Sequence, residues 1–403
     1  MKIGLVCPYD FSYPSGVANH VSSLQRQFAK MGYEVKVIAP ASRAVSAFGD
    51  RFIPMGKTLP IPANDSIVRI TLSMTLRSRI NEILERENFD VIHLHEPMMP
   101  TLCSAVLLLS RSVTIGTFHA CYRTPKYGPG KPFDGYNFGK PFTTALLRRW
   151  ARRLDGKIVV SKPAMEFANK YFPGDYTIIP NGVDVERFSP DVLPIADFCD
   201  GKVNILFVGR LEKRKGFNYL LEAYKRVKRE IPDSRLIVVG PGTTLRHKFG
   251  KQVMAEGIKD VVFVGYVSHN ELPRYYKTAD IFCAPATGWE SFGLVLLEAM
   301  AVGKPVVASN IEGYASVVSH GVDGLLVPPK DEEKLAEALV FLGSNGSLRQ
   351  EMGAKGGLKA LGYSWEHIAQ RVLDYYKKVL SESARSRRYP ELEAMSPLGS
   401  TGR

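Results

Sequence analysis

The sequence predicts an α/β protein made of two Rossmann-like, doubly wound domains that face each other across a central cleft. Three observations predict it. Short β-branched runs alternate with amphipathic helical stretches from Met1 onward, the pattern of stacked βαβ units around parallel sheets. The alternation lapses in a polar, proline-bearing stretch from Pro180 to about Gly201 and restarts at Val203. Finally, 403 residues, 45% hydrophobic and 23% charged, are enough for two domains of ordinary size.

In the first domain, residues 1–180, strands are expected at Lys2–Cys7, Glu34–Ala39, Val91–Leu94, Val113–Phe118, Lys157–Val160 and Tyr176–Ile179. Between the first two, Val17, Val21, Leu24, Phe28 and Met31 recur at helical spacing, so a helix should lay one apolar face on the sheet. In the second domain, residues 181–363, strands are expected at Val203–Val208, Arg235–Val239, Val261–Val264, Ile281–Cys283 and Pro305–Ala308, each followed by a helix. Residues 383–403 are rich in Ser, Arg and Gly without periodicity and read as a disordered tail. Doubly wound domains bind ligands at the carboxyl ends of their strands, which places the site in the cleft.

Composition narrows the function. The longest apolar runs, such as Ala105 to Leu109 and Leu294 to Leu297, fall far short of the roughly 20 residues that span a bilayer. The run from Met1 to Cys7 meets Pro8, too early for a signal-peptide core, and reads as the first strand. Five scattered cysteines, with no C-x-x-C pair or zinc-like spacing, suit reduced thiols in the cytoplasm. The formal charge is +13, and residues 1–180 hold 23 Lys+Arg against 13 Asp+Glu. That basic half suits an anionic membrane, a nucleic acid or a phosphorylated substrate.

The sharpest chemical signal runs from Glu290 to Glu298, two carboxylates just before and within an expected helix, eight residues or little over two turns apart. Both can face one ligand, while Ser291, Phe292 and Gly293 at the helix start offer N–H groups to phosphate oxygens. As an isolated pair they would read as a helix cap and a solvated side chain. The neighbours change that. About 80 residues upstream, Gly209-Arg210 and Lys215-Gly216 follow a strand, where Arg210 and Lys215 could neutralise a diphosphate leaving group in the manner of a metal ion. In isolation that run would be a solvated basic loop. No D-x-D carboxylate motif for a metal is present, and no metal site is expected.

The first half offers Pro14-Ser15-Gly16-Val17, a glycine turn opening a helix, short of the full G-x-G-x-x-G pattern. His119 closes a strand and should stand at the cleft mouth. His93 and His95 read as alternating across a strand end, unable to face one metal, and so as packing and hydrogen-bonding groups. In Leu146–Leu154, the residues Leu146, Leu147, Trp150, Ala151 and Leu154 fall on one helical face and Arg148, Arg149, Arg152 and Arg153 on the other, which suits either a membrane surface or a helix packed on the sheet. Arg77 and Arg79 mark a second basic segment.

The chain resembles glycosyltransferase family 4 over almost its whole folded length, on Gly209-Arg210, Lys215-Gly216, Glu290 to Glu298 and Pro180-Asn181-Gly182-Val183-Asp184. Its N-terminal third is most similar to the bacterial phosphatidylinositol mannosyltransferases, on Gly4 to Tyr9, Pro14 to Val17, Pro62 to Arg69, His93 to Pro97 and Thr117-Phe118-His119. The resemblance implies the GT-B fold, completed by a C-terminal helix over 364–382 that crosses back to the first domain. It implies a retaining transfer of mannose from GDP-mannose to phosphatidylinositol, with the departing phosphate as base and no carboxylate nucleophile. Arg210 and Lys215 would hold the diphosphate, Glu290 the sugar hydroxyls, Glu298 the ribose and His119 the sugar beside the reaction centre. Gly16 would approach the phosphate, and Tyr9, Asn64 and Arg69 would take the inositol phosphate. Ala18 stands where the family branch has an acceptor-binding glutamine, leaving Asn19 as the nearest substitute, and Ala120-Cys121 replace hydroxyl residues. No tightly bound cofactor is implied, although Mg2+ carried by the diphosphate could stimulate. The implied location is cytoplasmic, peripheral on the inner face of the membrane, with a nucleotide sugar and an anionic lipid as partners and no nucleic acid. Two alternatives stay open: a family 4 transferase with another acceptor, and a nucleotide-sugar epimerase of the same fold.

Overall fold

The computed structural model describes residues 1–13, 15–63, 66–71, 76–120, 141–242 and 244–388. Two parallel sheets organise the chain. The first contains β1 (Lys2–Val6), β2 (Glu34–Ala39), β3 (Phe52–Pro54), β6 (Val91–His95), β7 (Val113–Phe118), β8 (Gly156–Val159) and β9 (Thr177–Ile178), in the order β3-β2-β1-β6-β7-β8-β9. A separate antiparallel hairpin pairs β4 (Leu59–Ala63) with β5 (Ser66–Ile70). The second sheet contains β10 (Val203–Val208), β11 (Ser234–Val239), β12 (Val261–Gly265), β13 (Ile281–Ala284), β14 (Val306–Ser309) and β15 (Gly324–Val327), in the order β12-β11-β10-β13-β14-β15. Both orders reverse direction beside their first strand, at β1/β6 and at β10/β13, which is where doubly wound sheets open a ligand crevice.

Helices α1 (Gly16–Lys30), α2 (Leu76–Glu87), α3 (Leu102–Leu109), α4 (Pro141–Ala151) and α5 (Lys162–Tyr171) accompany the first sheet. With the second run α6 (Phe217–Glu230), α7 (Thr244–Ala255), α8 (Leu272–Thr278), α9 (Leu294–Ala301), α10 (Glu312–Ala315), α11 (Glu332–Gly343) and α12 (Gly346–Leu361). Strands β6, β7 and β11 are buried throughout, as sheets covered on both faces require.

The last helix, α13 (Trp365–Arg388), returns to the first sheet, burying Ile368, Val372, Leu373 and Tyr376 with Ile3 and Leu5 of β1 and Val21, Leu24 and Phe28 of α1. Outgoing and returning segments touch: the Val183 N–H donates to the Tyr363 carbonyl at 2.8 Å, and Val183 bridges Ser364. A Cβ on Gly182 would stand 2.6 Å from the Trp365 ring, so the two crossings are pressed together.

Several elements depart from the sequence reading. Strand β3 has three residues, β4 carries two prolines and β15 opens on Gly324, so none shows a clean hydrophobic run. Helix α13 continues to Arg388, past the expected end at 382, because no Gly or Pro interrupts it before Pro390. The rest of the expected tail, 389–403, lies outside the described residues. The Leu146–Leu154 segment is not an insertion surface: Leu147, Ala151 and Leu154 are buried in the core of the first sheet, with Trp150 packed against it. Arg148, Arg149, Arg152 and Arg153 are exposed, and Arg148 and Arg153 donate to the carbonyls of Tyr171 and Leu108 at 3.0 and 3.2 Å. Among the described residues no helix is long and apolar enough to cross a membrane.

Candidate functional site

On the side of the second sheet, the loops after β10 and β13 are locked together by backbone contact. Gly216 is left-handed at φ 70°, and a Cβ there would lie 1.9 Å from the Pro285 carbonyl oxygen. Gly313 is equally close to the Glu290 carbonyl, where a Cβ would stand 2.0 Å away. The Thr287 N–H donates to the Arg214 carbonyl at 2.8 Å. These approaches, which side chains would prevent, set Arg214 and Lys215 against Glu290.

The charges then form an alternating row. Lys215 Nζ is 2.7 Å from Glu290 Oε1, and Arg214 Nη1 donates to the same oxygen. Arg214 Nε reaches Glu212 Oε2 at 2.9 Å, and Arg210 Nε reaches Glu212 Oε1 at 3.0 Å. Burial of Arg214 disfavours its charge, but Glu290 and Glu212 more than offset this and raise its pKa. Three cations against two carboxylates leave one positive charge. Lys215 and Glu290 retain 16% and 14% side-chain exposure and Arg210 retains 45%, so the row is reachable from solvent. An incoming diphosphate can replace Glu290 as the partner of Lys215, which leaves the carboxylate held by Arg214 alone.

Glu290 and Glu298 do not share a setting. Glu298 Oε2 accepts from the Tyr276 hydroxyl at 2.7 Å. Burial raises its pKa, while Tyr276 and the nearby Arg187 charge oppose the rise. No side chain caps α9, so Glu290 is not its cap; Gly293 occupies the N-cap position at φ 102°. Ser291 is half-buried beside it, and Phe292 is buried in the core of the second sheet.

Across the cleft, imidazoles gather. His119, just past β7, has Nε2 3.0 Å from Nδ1 of His95 at the end of β6, and the rings stack at 5.3 Å. His20 of α1 lies edge-on to His119 at 4.7 Å and to Trp365 at 4.9 Å, and its Nδ1 is 2.9 Å from Asn181 Oδ1. Burial lowers the His20 pKa to about 4 and the His93 pKa to about 3, and holds His95 and His119 well below the ordinary value, so the rings are neutral at pH 7. The His119 backbone N–H donates to Glu96 Oε1 at 2.9 Å, and Glu96 itself sits at a left-handed φ of 53°. The sequence reading of His93 and His95 needs correction: two residues apart on a strand they share a face, with rings 4.2 Å apart. His93 is a hydrogen-bonding group for another reason, since Thr117 Oγ1 and the Tyr376 hydroxyl occupy its two nitrogens, each at 2.6 Å.

The expected acceptor residues fall near the end of β1. Tyr9 is half-buried and bridges Ile70, and the Asp10 N–H donates to the Arg69 carbonyl at 3.0 Å. Arg69 lies over the Tyr13 ring at 4.0 Å. Buried Asp10 accepts from the hydroxyls of Ser12, Ser42 and Thr58. Desolvation disfavours its charge, but these donors prevail and hold its pKa down to about 2. Gly16 opens α1 behind the Ser15 cap, and a Cβ there would meet nothing within 4 Å. Ala18 is buried and Asn19 exposed. Adjacent helical residues diverge by about 100°, so Asn19 does not stand in for a side chain at 18. Asn64 lies outside the described residues, as does Cys121. Arg77 and Arg79 are exposed on α2.

Sequence reasoning missed His20, Glu212, Arg214, Tyr276 and Arg187. The two-residue charge alternation Arg210-x-Glu212-x-Arg214 was a usable signal; nothing in the sequence marks His20.

Comparison with known proteins gives the family. Residues 14–187 match the model for Glycosyltransferase Family 4, and residues 195–358 match that for glycosyl transferases group 1. The phosphatidyl-myo-inositol mannosyltransferase of Mycobacterium leprae is 35% identical over 96% of this chain and 99% of its own. That of Propionibacterium freudenreichii is 33% identical over 96% and 97%. Among solved structures, a sucrose-phosphate synthase from Thermosynechococcus elongatus superimposes with TM-score 0.71 at 21% identity, covering 94% of this chain and 99% of that one. Anabaena HepE in complex with UDP gives 0.74 at 17%, covering 94% and 100%. These distant likenesses bear on the fold, and the full-length relatives bear on the family: the chain belongs to glycosyltransferase family 4 and is a hexosyltransferase with the GT-B fold.

Proposed function

We propose that this protein transfers mannose from GDP-mannose, with retention of configuration, to the inositol head group of phosphatidylinositol at the inner membrane face. The observation that carries the reading is full-length similarity, at 33–35% identity, to enzymes named phosphatidyl-myo-inositol mannosyltransferase. Arg210 and Lys215 take the donor diphosphate and the charge that grows on it as the glycosidic bond breaks. Glu290, released from Lys215, meets the sugar hydroxyls, and Glu298 the ribose. His119, oriented by Glu96 and His95, lies against the sugar. The acceptor hydroxyl attacks from the face the diphosphate leaves, and the departing phosphate takes its proton. No metal is assigned to this step; Mg2+ carried by the nucleotide can add to the same charge neutralisation.

The acceptor occupies the surface around Tyr9, Arg69 and the β4–β5 hairpin, and the exposed arginines of α2 and α4 draw that half to anionic lipid. Buried Ala18 favours one competing reading: with no polar side chain there to bind inositol, another polar or lipid acceptor fits the same donor machinery. The test is incubation of the purified chain with radiolabelled GDP-mannose and vesicles containing phosphatidylinositol. The reading expects labelled, lipid-extractable product that disappears when phosphatidylinositol is replaced by phosphatidylglycerol. Product formed equally with both lipids would move the assignment to another acceptor, and turnover of the nucleotide sugar without any lipid would support an epimerase.

A further inference from the structure

Nitrogens of His20, His95 and His119 all lie within 4.8 Å of one another, although the three residues come from α1, β6 and the loop after β7. We propose that these three imidazoles form a binding site for one divalent transition cation of the zinc type. The inference rests on their geometry alone and is independent of which acceptor the enzyme uses.

Four features support it. First, the spacing is close to what a tetrahedral ion needs: bonds of about 2.0 Å place ligand nitrogens about 3.3 Å apart. His95 Nδ1 and His119 Nε2 are already at 3.0 Å, and the third ligand must move in by about 1.5 Å or less. Second, His95 Nε2 is buried with no hydrogen-bond partner, so no second contact fixes the tautomer of this ring and its proton is free to sit on Nε2 while Nδ1 binds the cation. In the apo pair one ring lends a proton to the other; a cation takes both lone pairs, and the proton shifts to the other nitrogen of its own ring. Third, Asn181 Oδ1 accepts from His20 Nδ1–H, which leaves Nε2 with its lone pair and supplies the outer hydrogen bond that metal-bound histidines use. Fourth, His20 and His95 are buried while His119 is half-buried, so three protein ligands leave one coordination position for a small molecule from solvent. A ligand set of imidazoles without a carboxylate selects zinc, cobalt or nickel over magnesium or calcium.

His93 is not a fourth ligand, because both its nitrogens are engaged. A cation at this site immobilises His119, reserved here for the transferred sugar, so binding is inhibitory.

The test is titration of the untagged full-length chain with Co2+ alone, followed by visible absorption, and competition by Zn2+. One equivalent should produce the intense bands of four-coordinate cobalt, and Zn2+ should abolish them. His20→Gln and His95→Asn should each lose the bands; Asn181→Ala, with all three ligands kept, should retain them with about tenfold weaker affinity. His93→Gln, equally buried and adjacent, should retain them unchanged, which separates ligand loss from general damage to the core. Absence of the bands in the parent protein, their persistence in both ligand variants, or their loss in His93→Gln would overturn the proposal.

Discussion

On the C-terminal side of the cleft five charged side chains, Arg210, Glu212, Arg214, Lys215 and Glu290, pair in a row carried by two neighbouring loops. On the N-terminal side the polar groups are neutral imidazoles from three elements, and His20 leans on Asn181 of the linker and on Trp365 of the returning helix. The first arrangement is local to one domain and ready for an anion. The second exists only while linker, α1 and α13 are packed together, so it reports on how the domains are joined. In the proposed reading, charge is therefore held where the diphosphate would arrive, and uncharged groups where the sugar and its developing cation would sit.

The largest effect expected from breaking this contrast is on turnover. Glu290→Gln should lower kcat by about 100- to 1,000-fold with an unchanged circular dichroism spectrum, because it removes the carboxylate that the proposed reading sets against the sugar. Near-normal turnover would remove Glu290 from the site.

Two glycines sharpen the comparison. Gly216→Ala should cost on the order of 2–4 kcal/mol in chemical denaturation, since its Cβ meets the Pro285 carbonyl at a left-handed φ. Gly16→Ala, with open space around it, should leave stability unchanged and raise the donor KM. Equal stability losses would show that the two turns do not differ as described. Arg210→Ala should raise the donor KM and lower kcat, together about 10- to 100-fold in kcat/KM, because the phosphate charge it meets grows toward the transition state.

Asp10 tests the N-terminal frame rather than its chemistry. Asp10→Ala leaves three hydroxyls without their acceptor and should destabilise by about 2 kcal/mol. Its folded pKa is depressed, so its contribution is present above the unfolded value near 3.8 and is lost as pH falls toward about 2. Parallel acid-unfolding curves for wild type and variant across that window would contradict this. The smallest effect belongs to the membrane. Changing Arg148, Arg149, Arg152 and Arg153 together to Ser should weaken co-sedimentation with anionic vesicles at least about tenfold at low salt. Since the apolar face of that segment is buried, neutral vesicles should not bind at all; equal binding to both would contradict a purely electrostatic contact.

The parallel sheets were legible because β1, β2, β7 and β10 are short runs rich in Val, Ile, Leu, Phe and Thr, most of whose residues are buried. The hairpin β4–β5 was not, since Pro60 and Pro62 break the strand pattern that an edge tolerates. Arg210 and Lys215 stood out because they lie in one loop after a strand, and Glu290 because it pairs with Glu298 about a helix start. His20 did not, because a single histidine within α1 has no periodic signature and acquires meaning only when tertiary packing brings β6 and β7 beside it. The segment Leu146–Leu154 shows the reverse failure: amphipathic pattern alone does not distinguish a core from a membrane, and the burial of Leu147 and Leu154 decides for the core.

The central claim, that a diphosphate displaces Glu290 from Lys215, is tested most directly by calorimetric titration of GDP into two variants. Lys215→Ala should bind GDP at least tenfold more weakly than wild type. Glu290→Gln, which removes the competing carboxylate, should bind GDP as tightly as wild type or more tightly, even though its turnover collapses. Equal weakening of GDP binding in both variants would contradict the account, because Glu290 would then support the nucleotide rather than yield to it.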